Sequence, residues 1–367
     1  MFDFELISAL DRKAWRDRLS LCGEFDTYHL PEYHMLAKEN GEGEPYLFFF
    51  KYGGGFGAFP FLLRRVAEVE GLEDYRQVTD ITTVYGYPGI VTSIGREDDI
   101  ADIFRRKFQT RLNQQLRKLG VVSLFCRTHP LFDTLWLLKE MGEVVPLAVT
   151  VGIDLTRPEE DQVRGMTKGH RYDIRKARRR SVIVRQDESF RQLETFISFY
   201  NETMERNAAA KFYYFKKEYF FRLKKLLGDS LRLFLAEEDG AVISASLFLA
   251  TGRILQYHLS GTPQSYLQHG GSKVIIDEVR KWGKERGFSW LYLGGGVGGQ
   301  ADSLFRFKCG FSKLRYQYDI VKIILEPELY SELMYKRGLW ESKNGLVPAS
   351  NSYFPQYRRG CVREKQG

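Results

Sequence analysis

Cysteine and histidine are scarce, with 4 of the first and 6 of the second in 367 residues. Cys22, Cys126, Cys309 and Cys361 lie far apart, so no closely spaced pair offers a zinc knuckle or a redox couple. They are expected as reduced packing residues. Of the scattered histidines, His29 and His34 are the closest useful pair, no HExxH pattern occurs, and no metal site is expected. No apolar run approaches the roughly 20 residues of a membrane span. The first residues, Met1 to Ala9, carry Asp3 and Glu5 in place of a basic targeting region, so a soluble, cytoplasmic protein is expected. A GxSxG elbow and a Walker loop are also missing. The glycines Gly294, Gly295, Gly296, Gly298 and Gly299 follow a strand-like run, Trp290 to Leu293, but lack the spacing of a dinucleotide fingerprint.

The chain does contain an internal repeat. A helix-like stretch, Asp98 to Leu119, ends at Gly120 and opens into Val121 to Phe125; 167 residues on, Gly271 to Arg286 ends at Gly287 and opens into Phe288 to Tyr292. A second helix-then-glycine joint follows in each half, at Gly142 and at Gly310, glycine being suited to the left-handed residue that stops a helix. Earlier in each half lies a hairpin signal: Tyr46 to Phe50, Gly53 to Gly55, Phe56 to Leu63 in the first, and Leu231 to Glu237, Asp239-Gly240, Ala241 to Ala250 in the second. Each half reads hairpin, strand, helix, strand, helix, strand. The fold class is therefore α/β, a mixed α+β arrangement of two similar domains, each a mixed twisted sheet flanked by helices. With 43% hydrophobic and 14% aromatic residues, the chain has material for two cores. The expected division is 1–157, 158–328 and a C-terminal extension, 329–367, whose polar stretch from Lys336 is read as packing in extended form over another surface.

Charge is uneven. Between Lys168 and Arg180 seven bases stand against one acid, Asp173, so most of the formal net charge of +8 sits in this segment. On a helix Arg171, Arg175, Arg178 and Arg179 share one face, with Ile174 and Ala177 as a narrow apolar stripe on another. Such a face suits phosphates of a nucleotide-linked substrate, an RNA backbone or an anionic membrane surface; a solvated helix without a partner is the bland alternative. No DNA partner is expected.

The segments Gly86-Tyr87-Pro88-Gly89-Ile90-Val91, Arg171-Tyr172-Asp173-Ile174-Arg175-Lys176-Ala177, Tyr257-His258-Leu259-Ser260-Gly261, Leu293-Gly294-Gly295-Gly296 and Leu304-Phe305-Arg306-Phe307-Lys308-Cys309-Gly310-Phe311 occur in that order. In order and spacing the chain resembles the FemAB family, aminoacyl-tRNA-dependent transferases that add amino acids to peptidoglycan precursors. The likeness runs from about Tyr28 to Leu325. Members of that family resemble two acetyltransferase-type (GNAT) domains in tandem. The long coiled-coil insertion that some of them use for tRNA contact is missing.

The resemblance implies a site. Phe307-Lys308 corresponds to the pair whose lysine lies near the reacting carbonyl or the donor's phosphates, where a cation could stabilise the oxyanion of acyl transfer; a lysine favoured by a helix C-terminus is the alternative. Arg206 and Tyr257 correspond to acceptor contacts, the arginine to phosphates. Lys38 and Tyr85 or Tyr87 correspond to acceptor contacts of the first domain. Gln268, Gly271 and Ser272 weakly resemble the pyrophosphate loop of acyl-CoA-dependent acetyltransferases. Asp277 and Asp302 are candidates for a general base by position alone. No permanently bound cofactor is expected; the donor is aminoacyl-tRNA or acyl-CoA, and the acceptor a phosphate-bearing cell-envelope precursor. Three readings stay open: an aminoacyltransferase of cell-wall synthesis, an acyl-CoA-dependent N-acyltransferase, and a non-catalytic protein that binds phosphate, RNA or anionic lipid.

Overall fold

A computed structural model describes residues 3–210, 213–350 and 353–363. The chain divides into two compact units, Met1–Leu147 with Tyr318–Gly367, and Ala148–Gln317. Along it run β1 (Asp3–Ser8), α1 (Arg12–Ser20), α2 (Pro31–Glu39), β2 (Glu44–Tyr52), β3 (Gly55–Arg65), β4 (Thr79–Thr82), β5 (Val91–Thr92), α3 (Ala101–Lys118), β6 (Val121–Arg127) and β7 (Glu143–Asp154). Then come α4 (Glu159–Gly165), α5 (Lys168–Arg179), β8 (Ile183–Gln186), α6 (Leu193–Arg206), α7 (Lys217–Leu227), β9 (Leu231–Glu238), β10 (Ala241–Thr251), β11 (Ile254–Gly261), α8 (Gly271–Glu285), β12 (Trp290–Gly294) and α9 (Ser303–Cys309). Last are β13 (Arg315–Ile324), α10 (Pro327–Lys343), β14 (Leu346–Pro348) and β15 (Cys361–Arg363).

The two units repeat one sheet. In the first, β1 to β4 pair antiparallel in turn, β4 pairs parallel with β6, and β6 pairs antiparallel with β13. In the second, β8 to β11 pair antiparallel in turn, β11 pairs parallel with β12, and β12 pairs antiparallel with β7. Order and sense agree strand for strand, as the repeated joints led one to expect. The closing strands are exchanged, however: β13 completes the first sheet and β7 the second. The chain therefore leaves the first unit within β7 and re-enters it within β13, whereas the sequence reading put the boundaries at 157 and 328 and kept each half's last strand at home.

Local chemistry explains the shared parts. Gly53 and Gly54 join β2 to β3, and Asp239 and Gly240 join β9 to β10; all four take positive φ, the geometry of a tight hairpin turn whose twist matches its strands. Gly120 and Gly287 are left-handed at φ 69° and 76°, which stops α3 and α8 as expected. Gly142 and Gly310 are not left-handed, and they are glycines because of crowding. A Cβ on Gly142 would stand 2.3 Å from the Lys322 carbonyl oxygen, and one on Gly310 2.2 Å from the His170 ring. In the first core Phe104, Phe108, Leu112 and Leu116 recur every fourth residue along α3 and are buried against Phe48 and Phe50 of β2. In the second, Val274, Ile275, Ile276 and Val279 of α8 pack with Leu255, Leu291 and Leu293.

The C-terminal region differs from its expected form. It opens with the 17-residue helix α10 and belongs to the first unit. Tyr330, Leu333 and Tyr357 join Val66, Leu72 and Val122 in a buried cluster. Residues 351–352 and 364–367 of the expected extension lie outside the described residues.

Buried histidines give the first unit an acid-sensitive term. His34 of α2 is fully buried and donates from Nδ1 to the Leu30 carbonyl at 3.0 Å. Burial pushes its pKa from 6.5 down to about 3. The unfolded chain takes up a proton below about pH 6.5 that the folded one refuses, so this contribution to stability is complete above that pH and falls as pH drops towards 3. His34→Gln, which keeps an N–H donor without the titration, is expected to flatten the acid-side loss by about 1.4 kcal/mol per pH unit. Urea unfolding of both proteins between about pH 7 and pH 4 checks this; parallel stability curves would refute it.

Candidate active site

Strands β11 and β12 pair only from Ile254 to Gln256 and from Trp290 to Tyr292; β11 then runs on to Gly261 without that partner. A parallel pair that parts at its C-terminal ends leaves a mouth there, the usual place for a ligand in an open α/β sheet. Lys308 is anchored next to this point, on the residue that follows β12. Asp302 caps α9, its carboxylate accepting from the Phe305 and Val297 amides at 2.8 and 3.0 Å. The capped helix returns the Lys308 side chain to the end of β12, where Nζ donates to the Gly295 carbonyl at 2.6 Å. The residue is 8% exposed. Burial pushes its pKa down to about 8, with the Asp302 charge opposing the shift. The group is thus a dry ammonium, charged at neutral pH.

The Phe307-Lys308 pair is held from outside by α5. Thr167, the N-cap of α5, donates its amide to the Gly310 carbonyl at 2.9 Å, and His170 Nε2 donates to the Phe307 carbonyl at 2.9 Å. The imidazole stands edge-on to Phe311 with centroids 4.6 Å apart, and Gly310 leaves the room it needs. Burial lowers the His170 pKa, which keeps the ring neutral with its proton on Nε2. Neither Thr167 nor His170 was singled out from sequence. The available signal was the glycine inside Phe307 to Phe311, which is crowded rather than left-handed.

Tyr257 lies on β11, its ring 5.5 Å from Phe248, and shares hydrogen bonds with Ser260 and Ser246. Burial raises its pKa. Arg206, at the end of α6, donates from Nη1 to the Thr262 carbonyl at 3.0 Å, just past β11. Arg206, Tyr257 and Lys308 are thus all anchored on β11, β12 or the residues that follow those strands.

The basic helix forms as expected, with Ile174 and Ala177 buried, but its four arginines are not equivalent. Arg178 turns to Asp277 at 2.6 Å and to Glu278. Asp277 also holds the fully buried Arg280, which bonds Gln162 and Glu159 of α4. Asp277 is therefore a structural counter-ion, Asp302 is a helix cap, and neither is placed as a general base. At Gln268, Gly271 and Ser272, α8 begins after Gly270, which is left-handed. A Cβ on Gly271 would stand 2.7 Å from Ser244 Cβ, and one on Gly270 3.3 Å from Ala177 Cβ of α5. Packing accounts for Gly271, and the left-handed backbone for Gly270.

Residues 164–308 match the acetyltransferase (GNAT) domain family. Over 167 residues the chain is 29% identical to the UDP-N-acetylmuramoylpentapeptide-lysine N(6)-alanyltransferase of Weissella viridescens, an alignment that covers 44% of this chain and 48% of that relative. The match therefore spans about half the relative's length. A solved structure of FemX covers 90% of this chain and 99% of its own, with a TM-score of 0.67 at 14% identity. The chain thus has the fold of FemX, and its residues 164–308 carry a match to the GNAT domain family. The C-terminal domain of an Agrobacterium fabrum protein assigned as a lysylphosphatidylglycerol synthetase shares the fold at a TM-score of 0.51, over 85% of this chain and 92% of its own, at 13% identity.

The stretch that matches the GNAT family opens in α4 and ends on Lys308, so it contains the basic helix, Arg206 and Tyr257. The remaining sequence-derived residues lie in the first unit. Lys38 pairs with Glu44 at 2.6 Å. Tyr87 packs edge-on against Tyr318 at 4.7 Å and Tyr28 at 6.1 Å, while Tyr85 is 40% exposed. The first unit repeats the sheet but not the chemistry at its helix start: α3 is preceded by Glu97, Asp98 and Asp99 and has Asp102 in its first turn, which repels an anion, whereas the first turn of α8 holds no acid. Cys22 and Cys126 are buried, as expected, and Cys309 and Cys361 are half-buried; all four are free thiols. Among the described residues no helix is long and apolar enough to cross a membrane.

Proposed function

We propose that this protein is an N-acyltransferase that moves an aminoacyl group from aminoacyl-tRNA to an amine of a peptidoglycan-type, phosphate-bearing precursor. The observation that carries the reading is the buried Lys308 ammonium on the Gly295 carbonyl, at the mouth between β11 and β12. In the reaction the neutral amine attacks the ester carbonyl, a C–N bond forms as the C–O bond to the ribose breaks, and the amine proton leaves with the ribose hydroxyl. Lys308 supplies positive charge where the oxyanion develops, in a dry site where such a contact is strong. With Asp277 and Asp302 both engaged structurally, the leaving oxygen is the natural proton acceptor. The relative from Weissella viridescens, named for alanyl transfer to the lysine of such a pentapeptide, supports the same acceptor class.

The test is a donor screen. Purified protein with UDP-N-acetylmuramoyl-pentapeptide is expected to consume an aminoacyl-tRNA and to leave acyl-CoAs intact. Transfer from acyl-CoA alone would favour the second reading, for which Gln268, Gly271 and Ser272 are the local support. Arg206→Gln is expected to raise the Michaelis constant for the phosphate-bearing acceptor several-fold with little change in turnover, because a contact made equally in ground and transition states affects binding only. A turnover defect with an unchanged Michaelis constant would remove Arg206 from the acceptor contacts.

A further inference from the structure

The ion pair of Arg178 with Asp277 redraws the outer face of α5. Tyr172, Arg175, Lys176 and Arg179 stand at i, i+3, i+4 and i+7, all four are exposed, and Tyr172 is open at 53%. Among the described residues none of the three bases has an ion-pair partner, although nearby Arg180 is taken up by Glu238 and Asp173 by Lys273. A solvated basic face needs no aromatic ring, and a large ring left in water amid three cations is unexplained by packing, since the apolar side of this helix is Ile174 and Ala177, both buried.

We infer that this face of α5 is a docking strip for single-stranded RNA, Tyr172 stacking on a base while Arg175, Lys176 and Arg179 hold successive phosphates. The inference rests on the proposed use of an RNA-borne donor and adds where that donor is gripped. Rings interleaved with bases are the recurring means of holding single strands, because every base has a flat face and every linkage a charge. From Tyr172 to Arg179 the helix rises roughly 10 Å, enough to follow the backbone across more than one phosphate. Arginine supplies two of the three cations, and its fork bonds phosphate in two places.

An anionic membrane surface is the competing partner. It calls for apolar side chains that enter the lipid beside the cations, and on α5 those side chains face the core. The start of the same helix is fixed to α9 through Thr167 and His170. A strand lying along α5 therefore runs towards the Phe307-Lys308 pair, within one unit.

The test separates binding from chemistry. Fluorescence anisotropy would follow a labelled RNA hairpin with an unpaired 3′ tail, the same hairpin without the tail, and phosphatidylglycerol vesicles. The wild-type protein is expected to prefer the tailed hairpin. Tyr172→Ala is expected to weaken that binding about tenfold, and Tyr172→Phe to leave it near wild type, because the ring and not the hydroxyl carries the stacking. Arg175→Gln with Arg179→Gln is expected to lower the slope of log affinity against log salt by about 1.4, the loss for two contacts on a single strand. All these positions are exposed, so the melting temperature should hold. Equal binding of tailed and blunt hairpins, unchanged RNA affinity in both sets of variants, or loss of vesicle binding alone would overturn the inference. A protein that binds RNA in this pattern but transfers nothing in the donor screen would overturn the proposed reaction and leave the strip standing.

Discussion

Lys308→Met is expected to fold, at a small cost for the unpaired Gly295 carbonyl, and to lose about a hundredfold or more in turnover, the scale of one preorganised oxyanion contact. Met keeps an unbranched apolar stem of nearly the same length and removes the charged donor. The pH profile carries the sharper discrimination. Burial holds this amine at about 8, so the charged form is lost as pH rises through that value. If the ammonium is the working form, wild-type turnover falls across the same range. Turnover that climbs with pH through about 8 would instead make the neutral amine a base, and a variant with wild-type turnover would move the active site elsewhere.

The second large effect is on stability. Asp80 of β4 is completely buried and accepts from Arg64 Nε at 2.6 Å, from the Tyr357 hydroxyl at 2.9 Å and from Arg358. Tyr357 also meets Ser123 of β6 at 3.0 Å. One carboxylate thus ties the C-terminal region to the parallel pair of the first unit. Asp80→Ala removes the acceptor and leaves two guanidinium groups, 15% and 12% exposed, without their counter-charge. Breaking such a pair from one side costs roughly 3–5 kcal/mol. The denaturant midpoint of the first unit should fall accordingly. A shift below about 1 kcal/mol would mean that water replaces the carboxylate, as it does for surface pairs.

What could be read from the sequence follows the range of the interactions. Gly53-Gly54 and Asp239-Gly240 announce their hairpins because a two-residue turn is decided by those two residues. Ile174 and Ala177 announce the buried side of α5 because helical spacing is local. The exchange of β7 and β13 was invisible, since alternation along a strand tells which face is buried and says nothing about which sheet it joins. The same limit applied to Asp277 and His170, whose partners Arg178 and Phe307 lie 99 and 137 positions away. The polar composition from Lys336 pointed to a segment packed in extended form, whereas α10 runs on to Lys343. Arg337 and Arg359 are paired with the buried Glu341, and composition does not reveal pairing.

The exchanged strands bear on the order in which the molecule is built. The second unit is one unbroken stretch, Ala148–Gln317, whereas the first is complete only when Tyr318 and its successors arrive. A chain emerging from the ribosome can close the later unit while β6 still lacks β13 and shows a bare edge. Such an edge is the site where a nascent chain is most exposed to wrong pairing. Severing the chain at the midpoint of the repeat would give two fragments that each carry the other's final strand, so the gene can be divided into its two repeats only by separating both products from a part of their own sheets.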